Sequence, residues 1–336
     1  MIHEYNENEN GGIDYVVGDI HGCFSRLELM LQRIGFDKTK DRLFCLGDLV
    51  DRGPESHKVL DFLANEWVIA LSGNHDDMAI DYAINGGDYG AGSQFEQDYR
   101  ANGGEWNINA SYGFTQEVKR AFEKLPLVIE YKREGKKPLV FVHADLPFNS
   151  LAEMREKLED PVWRQYARIN CMWERRRAEG ERKNYFKDID TVIVGHTVVP
   201  RPVLLQDTLY IDTGAVFQDP EDIAADSGYF TILRLSDMTL LSETGGFPYA
   251  SDRGYIHHVV GDLPLDLVVT ESEMFLEDGT WYACYHAHTH QFMTTVYVMC
   301  DPGGDDLVIR RTNGYIFELM PKFGLDFYEL TMPVRY

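Results

Sequence analysis

The chain has 336 residues, 44% of them hydrophobic, which is enough to bury one large core with or without a smaller second domain. Its formal net charge of −23 argues against partners that require a basic surface, such as nucleic acid or an anionic membrane. The five cysteines are odd in number and widely spaced, and no apolar run reaches the length of a bilayer span. We therefore expect a soluble, cytoplasmic protein.

Three short apolar runs near the amino terminus are each followed by a loop of metal-binding residue types. The runs are typical of buried parallel strands and comprise Tyr15 to Val17, Leu43 to Leu46 and Val68 to Leu71. Aspartate, asparagine and histidine occur in the loops that follow, Gly18 to Gly22, Gly47 to Gly53 and Gly73 to Asp76. Parallel sheets bind ligands at the carboxyl ends of their strands, so three such loops predict one metal-assisted phosphate site.

The segments between these runs have helical periodicity. Leu27, Leu31 and Ile34 lie at helical spacing after Ser25, which is a candidate amino-terminal cap. The alternation of strand and helix predicts a βαβαβ unit with a parallel sheet and right-handed crossovers. Residues 77–125 are rich in glycine and aromatic residues and predict a helical region beside the site, either an ordinary insertion or a lid that contacts substrate.

Two later apolar runs end in the same way as the first three. Leu139 to Val142 is followed by His143-Ala144-Asp145, and Thr191 to Val194 is followed by Gly195-His196-Thr197. A lone histidine is more often a packed core residue than a ligand, but these two repeat the pattern of the first three loops. His143 and His196 are therefore candidate ligands of the same site.

The last hundred residues differ in composition, with fifteen acidic and five basic side chains. Their β-strand patterns cover Leu267 to Thr270, Trp281 to Ala287, Thr294 to Met299, Leu307 to Arg311 and Tyr315 to Leu319. Asn313-Gly314 predicts a hairpin turn between the last two. His286, His288 and His290 would share one face of a strand, as a metal site or as an ordinary solvated face.

The motifs together resemble the metal-dependent phosphoprotein phosphatases, a family with the calcineurin-like phosphoesterase fold. The resemblance spans roughly residues 5 to 236, and it also rests on Asn102 to Trp106, Trp173-Glu174-Arg175 and Tyr210 to Phe217. It implies an α/β fold, a four-layer sandwich of the metallophosphoesterase type, in residues 1–236. Residues 237–336 would form an appended small β-rich domain of unassigned role.

The resemblance also implies a centre of two divalent metal ions. The ligands would be Asp19, His21 and Asp48 for one ion, and Asp48, Asn74, His143 and His196 for the other. Carboxylate, amide and imidazole donors without thiolate suit manganese, iron or zinc, and we expect manganese. Two such ions lower the pKa of a shared water, and the resulting hydroxide would attack phosphorus in line without a phosphoenzyme.

Arginines would bind the phosphate in this arrangement. Arg52 and Arg175 would grip phosphate oxygens in bidentate fashion, a geometry that lysine cannot reproduce, with Asn74 beside them. Arg176 and Arg177 adjoin Arg175, so the sequence leaves open which of the three arginines takes this role.

The resemblance assigns the leaving group to a histidine. His75 would protonate the leaving oxygen, and Asp51 would hold and orient its imidazole. Asp145 and Asp212 lie in matching motifs but outside the ligand positions, so we expect them to support ligands or turns.

These expectations favour a phosphate monoesterase that acts on serine and threonine residues of phosphoproteins or phosphopeptides, with tyrosine as a further option. A symmetrical dinucleoside polyphosphate hydrolase, or an enzyme for another small phosphoester, is the first alternative. A catalytically weak binding protein that acts through the carboxy-terminal domain is the second. Fold-level analogy does not choose among substrates.

Overall fold

Two β-sheets pack face to face and carry helices on their outer sides. The structure, a computed structural model, describes residues 1–89, 92–199, 201–217 and 228–243, and the backbone of six strands between residues 268 and 329. The strands before residue 243 are β1 Ile2–Asn6, β2 Asp14–Val17, β3 Arg42–Cys45, β4 Val68–Ala70, β5 Val128–Lys132, β6 Leu139–Val142, β7 Thr191–Val194, β8 Val203–Leu205, β9 Thr208–Tyr210, β10 Thr231–Arg234 and β11 Thr239–Ser242. The helices are α1 Phe24–Arg33, α2 Val59–Leu63, α3 Asn74–Tyr89, α4 Gln94–Ala101, α5 Glu105–Ile108, α6 Tyr112–Phe122, α7 Leu151–Lys157 and α8 Pro161–Trp173.

The first sheet has the strand order β11-β10-β2-β3-β4. Strands β2, β3 and β4 are parallel, as the apolar runs predict. Strand β10 pairs antiparallel with β2, and β11 pairs antiparallel with β10. Helix α1 occupies the predicted segment, but the expected cap is wrong. Cys23 is at the N-cap position, whereas Ser25 lies in the first turn and donates from N and Oγ to Glu55 at 2.7 and 2.6 Å.

The second sheet has the strand order β1-β5-β6-β7-β9-β8. Strands β6, β7 and β9 are parallel to one another, and β6 and β7 have the predicted bounds. Their carboxyl ends therefore lie at the same edge of this sheet, which is where His143 and His196 follow.

Alternate residues of the central strands face two different cores. Val16 and Phe44 of the first sheet meet Phe141 and Ile193 of the second between the sheets. Their neighbours along the strands face outward and pack against helices α1 to α3 and α6 on one side, and α7 and α8 on the other. Because both faces of these strands are buried, the runs are continuously apolar. The predicted four-layer α/β sandwich is confirmed.

Helices α3 to α6 occupy the region for which the sequence predicts helices beside the site. Val118 and Phe122 of α6 are buried against the outer face of the first sheet. This region therefore packs as part of the domain, and two of its side chains also reach the site, as described below.

The six later strands are β12 Val268–Val269, β13 Trp281–His286, β14 Phe292–Cys300, β15 Leu307–Arg310, β16 Phe317–Leu319 and β17 Leu325–Glu329. They form an antiparallel sheet in the order β12-β17-β13-β14-β15-β16. The five predicted strand patterns overlap β12 to β16, and β17 has no counterpart among them. Asn313-Gly314, His288 and His290 lie outside the described residues.

The boundary predicted after residue 236 falls in the turn between β10 and β11. These two strands pair with each other, and β10 pairs with β2, so β11 belongs to the first sheet. A first domain would therefore extend at least to Ser242, and the division of the chain into two domains stays a prediction. Within the described part of the chain, no helix combines the length and the apolar character needed to span a membrane.

The pairing of β10 with β11 predicts where the chain can be shortened. A chain that ends after Glu243 should unfold cooperatively in urea. One that ends after Ser236 lacks β11 and the buried Leu240, and it should be at least about 2 kcal/mol less stable because it also exposes the edge of β10. Equal urea midpoints for the two shortened chains would contradict the assignment of β11 to this sheet.

Candidate metal centre and catalytic site

The predicted site residues follow the carboxyl ends of five strands from the two sheets, on loops or, for Asn74 and His75, at the start of α3. In the order β2, β3, β4, β6 and β7, these are Asp19 and His21, Asp48 to Arg52, Asn74 and His75, His143, and His196. The structure brings all of them together, at the distances given below. Arg175 reaches the same place from the segment after α8.

Five of these residues have a left-handed backbone, which side chains other than glycine rarely adopt. Their φ angles lie between 45° and 70° and belong to His21, Asp48, Asp51, Arg52 and His196. Each such residue costs about 1–2 kcal/mol relative to a right-handed one. Conformations of this kind cluster at functional sites, where the surrounding structure determines them.

Two motif glycines allow backbone to approach the site carboxylates closely. A Cβ atom at Gly73 would collide with N and Oδ1 of Asp48, and a Cβ atom at Gly195 would collide with Oδ1 of Asp19. Larger residues at these positions would displace both carboxylates.

The first group of donor atoms surrounds Nε2 of His21. Nδ1–H of this residue donates to the carbonyl oxygen of Val50 at 2.8 Å, which directs the lone pair of Nε2 into the site. Oδ2 of Asp19 and Oδ2 of Asp48 lie 3.8 and 3.7 Å from that nitrogen. Burial lowers the pKa of His21 to about 3, so the imidazole is neutral and can act as a ligand.

The second group surrounds Nε2 of His143. Asn74 Oδ1 lies 2.9 Å away, His196 Nδ1 lies 3.1 Å away and Asp48 Oδ2 lies 3.4 Å away. Nδ1–H of His143 donates to the carbonyl oxygen of Leu46 at 2.7 Å, which orients the ring. Asp48 contributes to both groups, which is what a bridging ligand must do.

The charges around His143 favour a cation at its Nε2 atom. Burial opposes charge on His143, but the carboxylates of Asp48 and Asp19 outweigh it and raise the pKa of His143 to about 10. Burial, reinforced by His143 and Arg175, lowers the pKa of His196 to about 2. A proton on Nε2 of His143 therefore lies where three other donor atoms converge, and a metal ion bound there would displace it.

The buried carboxylates also fit cations. Asp19, Asp48 and Asp212 are all buried, and burial together with Asp212 raises the pKa of Asp19 well above its usual range. Buried carboxylates need a compensating charge, which divalent ions supply. Nε2 of His196 is buried and has no hydrogen-bond partner among the described residues. The donor set fits a pair of divalent ions.

His75 and Asp51 form a buried hydrogen-bonded pair. Nδ1 of His75 lies 2.8 Å from Oδ2 of Asp51, and Nε2 of His75 lies 4.0 Å from Oδ2 of Asp48. Burial raises the pKa of Asp51, while hydrogen bonds from His75 and Trp106 act in the opposite direction. The arrangement leaves Nε2 of His75 facing the donor groups.

Helices α3 to α5 contain hydrogen-bond partners of the site that the sequence gave no reason to assign. Trp106 Nε1 donates to Oδ1 of Asp51 at 2.6 Å, and the hydroxyl of Tyr99 donates to the same oxygen at 3.5 Å. Asp76 accepts from the backbone nitrogens of Leu49 and Gly73 at 3.0 and 2.9 Å and so joins two of the loops. Trp106 and Asp76 stand in recognised motifs, but local spacing does not show what they contact.

The three neighbouring arginines have different partners in the structure. Nη1 of Arg175 donates to Oγ1 of Thr197 at 3.3 Å, beside His196. Arg176 is bound by Glu174, with Nε 2.9 Å from Oε2, and Arg177 is fully buried beside Asp145, with Nε 3.0 Å from Oδ1. Arg175 is therefore the arginine of this run that lies at the site.

Arg52 lies at the opposite side of the donor groups. Its Nη1 donates to Nε2 of His21 at 2.8 Å, and its Cζ lies 5.4 Å from the centroid of the Phe217 ring. A metal ion at Nε2 of His21 would replace this hydrogen bond and leave the guanidinium free to bind an anion.

Asp145 and Asp212 have supporting positions. Asp145 forms ion pairs with Arg177 and Arg182, at 3.0 and 3.1 Å, and does not contribute to either donor group. Asp212 accepts from the backbone nitrogen of Gly214 at 2.9 Å and lies beside Asp19.

A family model described as calcineurin-like phosphoesterase matches residues 15–200, a segment that includes every loop of the site. The chain belongs to the calcineurin-like phosphoesterase family. It is therefore a metallophosphoesterase, a hydrolase that uses divalent metal ions, as the sequence motifs imply. This membership counts against the alternative of a catalytically weak binding protein that acts through the carboxy-terminal domain.

Relatives of two activities match the chain. It is 32% identical over 220 residues to serine/threonine-protein phosphatase 1 of Salmonella typhimurium, a match that covers 64% of this chain and 93% of that protein. It is 26% identical over 258 residues to an asymmetrical bis(5'-nucleosyl)-tetraphosphatase of Anoxybacillus flavithermus, covering 71% and 96%. A symmetrical bis(5'-nucleosyl)-tetraphosphatase of Coxiella burnetii is 49% identical over 63 residues, covering 18% and 22%.

The hydrogen bond from Trp106 to Asp51 predicts a pH effect. Trp106→Phe removes a donor that stabilises the ionised carboxylate, so the pKa of Asp51 rises and the acidic limb of kcat/KM moves to higher pH. Turnover of an alkyl phosphate should fall roughly tenfold, as expected for a lost hydrogen bond to a charged group. The control is Trp163→Phe, which changes an exposed indole on α8. An unchanged acidic limb in Trp106→Phe would refute this role.

Proposed function

We propose that the protein is a metal-dependent phosphatase that removes phosphate from serine and threonine residues of proteins, with tyrosine as a further option. The observation that carries the proposal is the placement of the buried His75 and Asp51 pair against two donor groups that share Asp48. The relative that is 32% identical and matched over 93% of its length is named as a serine/threonine-protein phosphatase, which supports the choice of substrate.

The proposed metal ligands follow the two donor groups. They are Asp19, His21 and Asp48 for one ion, and Asp48, Asn74, His143 and His196 for the other. We favour manganese, with iron and zinc as alternatives, because oxygen and imidazole donors surround the site and no thiolate belongs to either group. When bound, the ions neutralise phosphate charge and lower the pKa of a water molecule.

Arg52 and Arg175 are proposed to bind the phosphate from two sides. Both residues are exposed, whereas the ligands are buried. An exposed guanidinium can meet a phosphate on a large substrate and form two parallel hydrogen bonds with its oxygens. Asn74 would contribute its amide nitrogen, since its Oδ1 faces His143 at 2.9 Å.

His75 is the proposed general acid. Its Nδ1 is 2.8 Å from Asp51, so a proton on Nε2 faces the site and can be given to the leaving alkoxide. Serine and threonine alkoxides are poor leaving groups, and protonation matters most for them. The carboxylate of Asp51 stabilises the charged imidazole before the transfer.

The overall charge favours a monoester over a polyphosphate. The chain carries a formal net charge of −23, which repels a dinucleoside tetraphosphate more strongly than a single phosphate on a protein with basic residues nearby. A tetraphosphatase activity is the second candidate, since one tetraphosphatase relative is matched over 96% of its length. The proposed partner is accordingly a phosphoprotein or phosphopeptide.

We place the reaction in the cytoplasm. Cys23, Cys45 and Cys171 are free and buried, which suits a reducing compartment.

A substrate panel tests the proposal. The full chain is stripped of metal and then assayed with manganese, iron or zinc on phosphoserine, phosphothreonine and phosphotyrosine peptides, diadenosine tetraphosphate and an aryl phosphate. We expect hydrolysis to be lost on verified metal removal and restored by manganese, with the highest kcat/KM on phosphoserine or phosphothreonine peptides. A higher kcat/KM on the tetraphosphate would favour the second candidate, and full activity without metal would rule out both.

The proposed acid makes a prediction about leaving groups. His75→Asn should lower kcat on an alkyl phosphate by roughly a hundred- to ten-thousandfold, the range for a general acid, with the metal content retained. The loss should be smaller for an aryl phosphate, whose leaving group needs less protonation. His57→Asn changes an exposed histidine and serves as the control. Equal losses on the two substrates would count against His75 as the acid.

A further inference from the structure

Arg26 on α1 binds the chain on both sides of residues 218–227, which lie outside the described part. Its Nη1 donates to the carbonyl oxygen of Ala215, and its Nη2 donates to the carbonyl oxygen of Gly228 at 2.6 Å. The backbone nitrogen of Gly228 also donates to the carbonyl oxygen of Thr213 at 2.8 Å. One guanidinium therefore connects two stretches of chain that are far apart in sequence from α1.

Glu243 fixes the guanidinium of Arg26. Oε1 accepts from Nε at 2.6 Å and Oε2 accepts from Nη2 at 2.5 Å, which is a bidentate pair. The side chains are 22% and 16% exposed, so solvent screens this pair less than an exposed one. Glu243 is itself held by Phe230, whose backbone nitrogen donates to Oε2 at 3.0 Å, and by Arg33, whose Nη1 donates to its carbonyl oxygen at 3.1 Å.

Phe217 links this arrangement to Arg52. The backbone nitrogen of Phe217 donates to the carbonyl oxygen of Gly214 at 2.8 Å, so the ring extends from a tight turn that includes Ala215. Cζ of Arg52 lies 5.4 Å from the centre of that ring. A cation over an aromatic face is attracted to it, which restricts where the guanidinium can point.

We propose that Arg26 and Glu243 are positioning residues for phosphate binding. Glu243 fixes Arg26, Arg26 fixes the turn at residues 214–217, and Phe217 on that turn orients the guanidinium of Arg52. The inference rests on the proposed role of Arg52 as a phosphate ligand. None of the three supporting residues needs to touch the substrate.

The first test compares three variants of the full chain. Glu243→Gln removes the charge that fixes Arg26, and it should raise KM for an aryl phosphate and Ki for inorganic phosphate in parallel, by roughly two- to fivefold, the range of one cation–π contact. The value of kcat and the metal content should change less. Glu243→Asp keeps the charge and should recover part of the loss. The matched control is Glu28→Gln, which changes another acidic residue by removing the charge that Glu28 on α1 pairs with Lys38, a residue beyond the end of that helix.

A double-mutant cycle separates positioning from general stability. In a Phe217→Leu background the link to Arg52 is already broken, so Glu243→Gln should add little further change in Ki for phosphate. Additive effects, or a lower unfolding midpoint with unchanged Ki, would overturn the inference. If Glu243→Gln fails to fold, the same cycle is run with Glu243→Asp.

Arg52→Ala tests the proposed role of Arg52 separately from the positioning role of Arg26 and Glu243. If it leaves KM and Ki unchanged, the proposed role of Arg52 is wrong, and the inference about Arg26 and Glu243 is wrong with it. If Arg52→Ala raises both while Glu243→Gln and Glu243→Asp raise neither, the proposed function stands and the positioning role of Glu243 and Arg26 is refuted.

Discussion

The carboxylate of Asp48 has to remain ionised although it is buried, and the surrounding residues meet this constraint. Burial opposes its charge, but neighbouring imidazoles, His143 above all, outweigh burial and hold the pKa of Asp48 well below its usual range. Its Oδ1 accepts from the backbone nitrogen of His75 at 2.8 Å. The neighbouring loop approaches it closely through the backbone of Gly73, and the backbone of Asp48 is itself left-handed. A buried carboxylate so surrounded by basic groups is suited to cations rather than to structural pairing.

Around this centre the site has a buried part and an exposed part with different tasks. Hydrogen bonds to carbonyl oxygens, such as from His21 to Val50 and from His143 to Leu46, orient two of the proposed ligands. Arg52 and Arg175 are exposed, which suits groups that meet a substrate from solvent. On a chain with a net charge of −23, these local cations offset the repulsion of an approaching phosphate.

The sequence predicts that the proposed ligands lie together because each follows an apolar run whose carboxyl end determines where the next side chains lie. His143 and His196 are predictable for that reason, although they are 53 residues apart. Local periodicity says nothing about contacts between distant segments, so the donation from Trp106 to Asp51 and the pairing of Arg26 with Glu243, 217 residues apart, could not be foreseen. For the same reason the sequence does not show that β11, which lies after residue 236, pairs with β10. The sequence could not show which of Arg175, Arg176 and Arg177 lies at the site, because this depends on which side chains already pair with residues elsewhere.

The donor groups draw on both sheets, since His143 and His196 follow strands of the second sheet and the other proposed ligands follow strands of the first. Between the sheets, apolar side chains such as Phe44 and Phe141 pack without directional bonds, and hydrogen bonds such as that from His143 to Leu46 already join the sheets at the site. A divalent ion shared by Asp48 and His143 would act as a crosslink between the sheets. Sliding one sheet over the other would break coordination bonds, so the resistance of the sandwich to shear increases with metal occupancy.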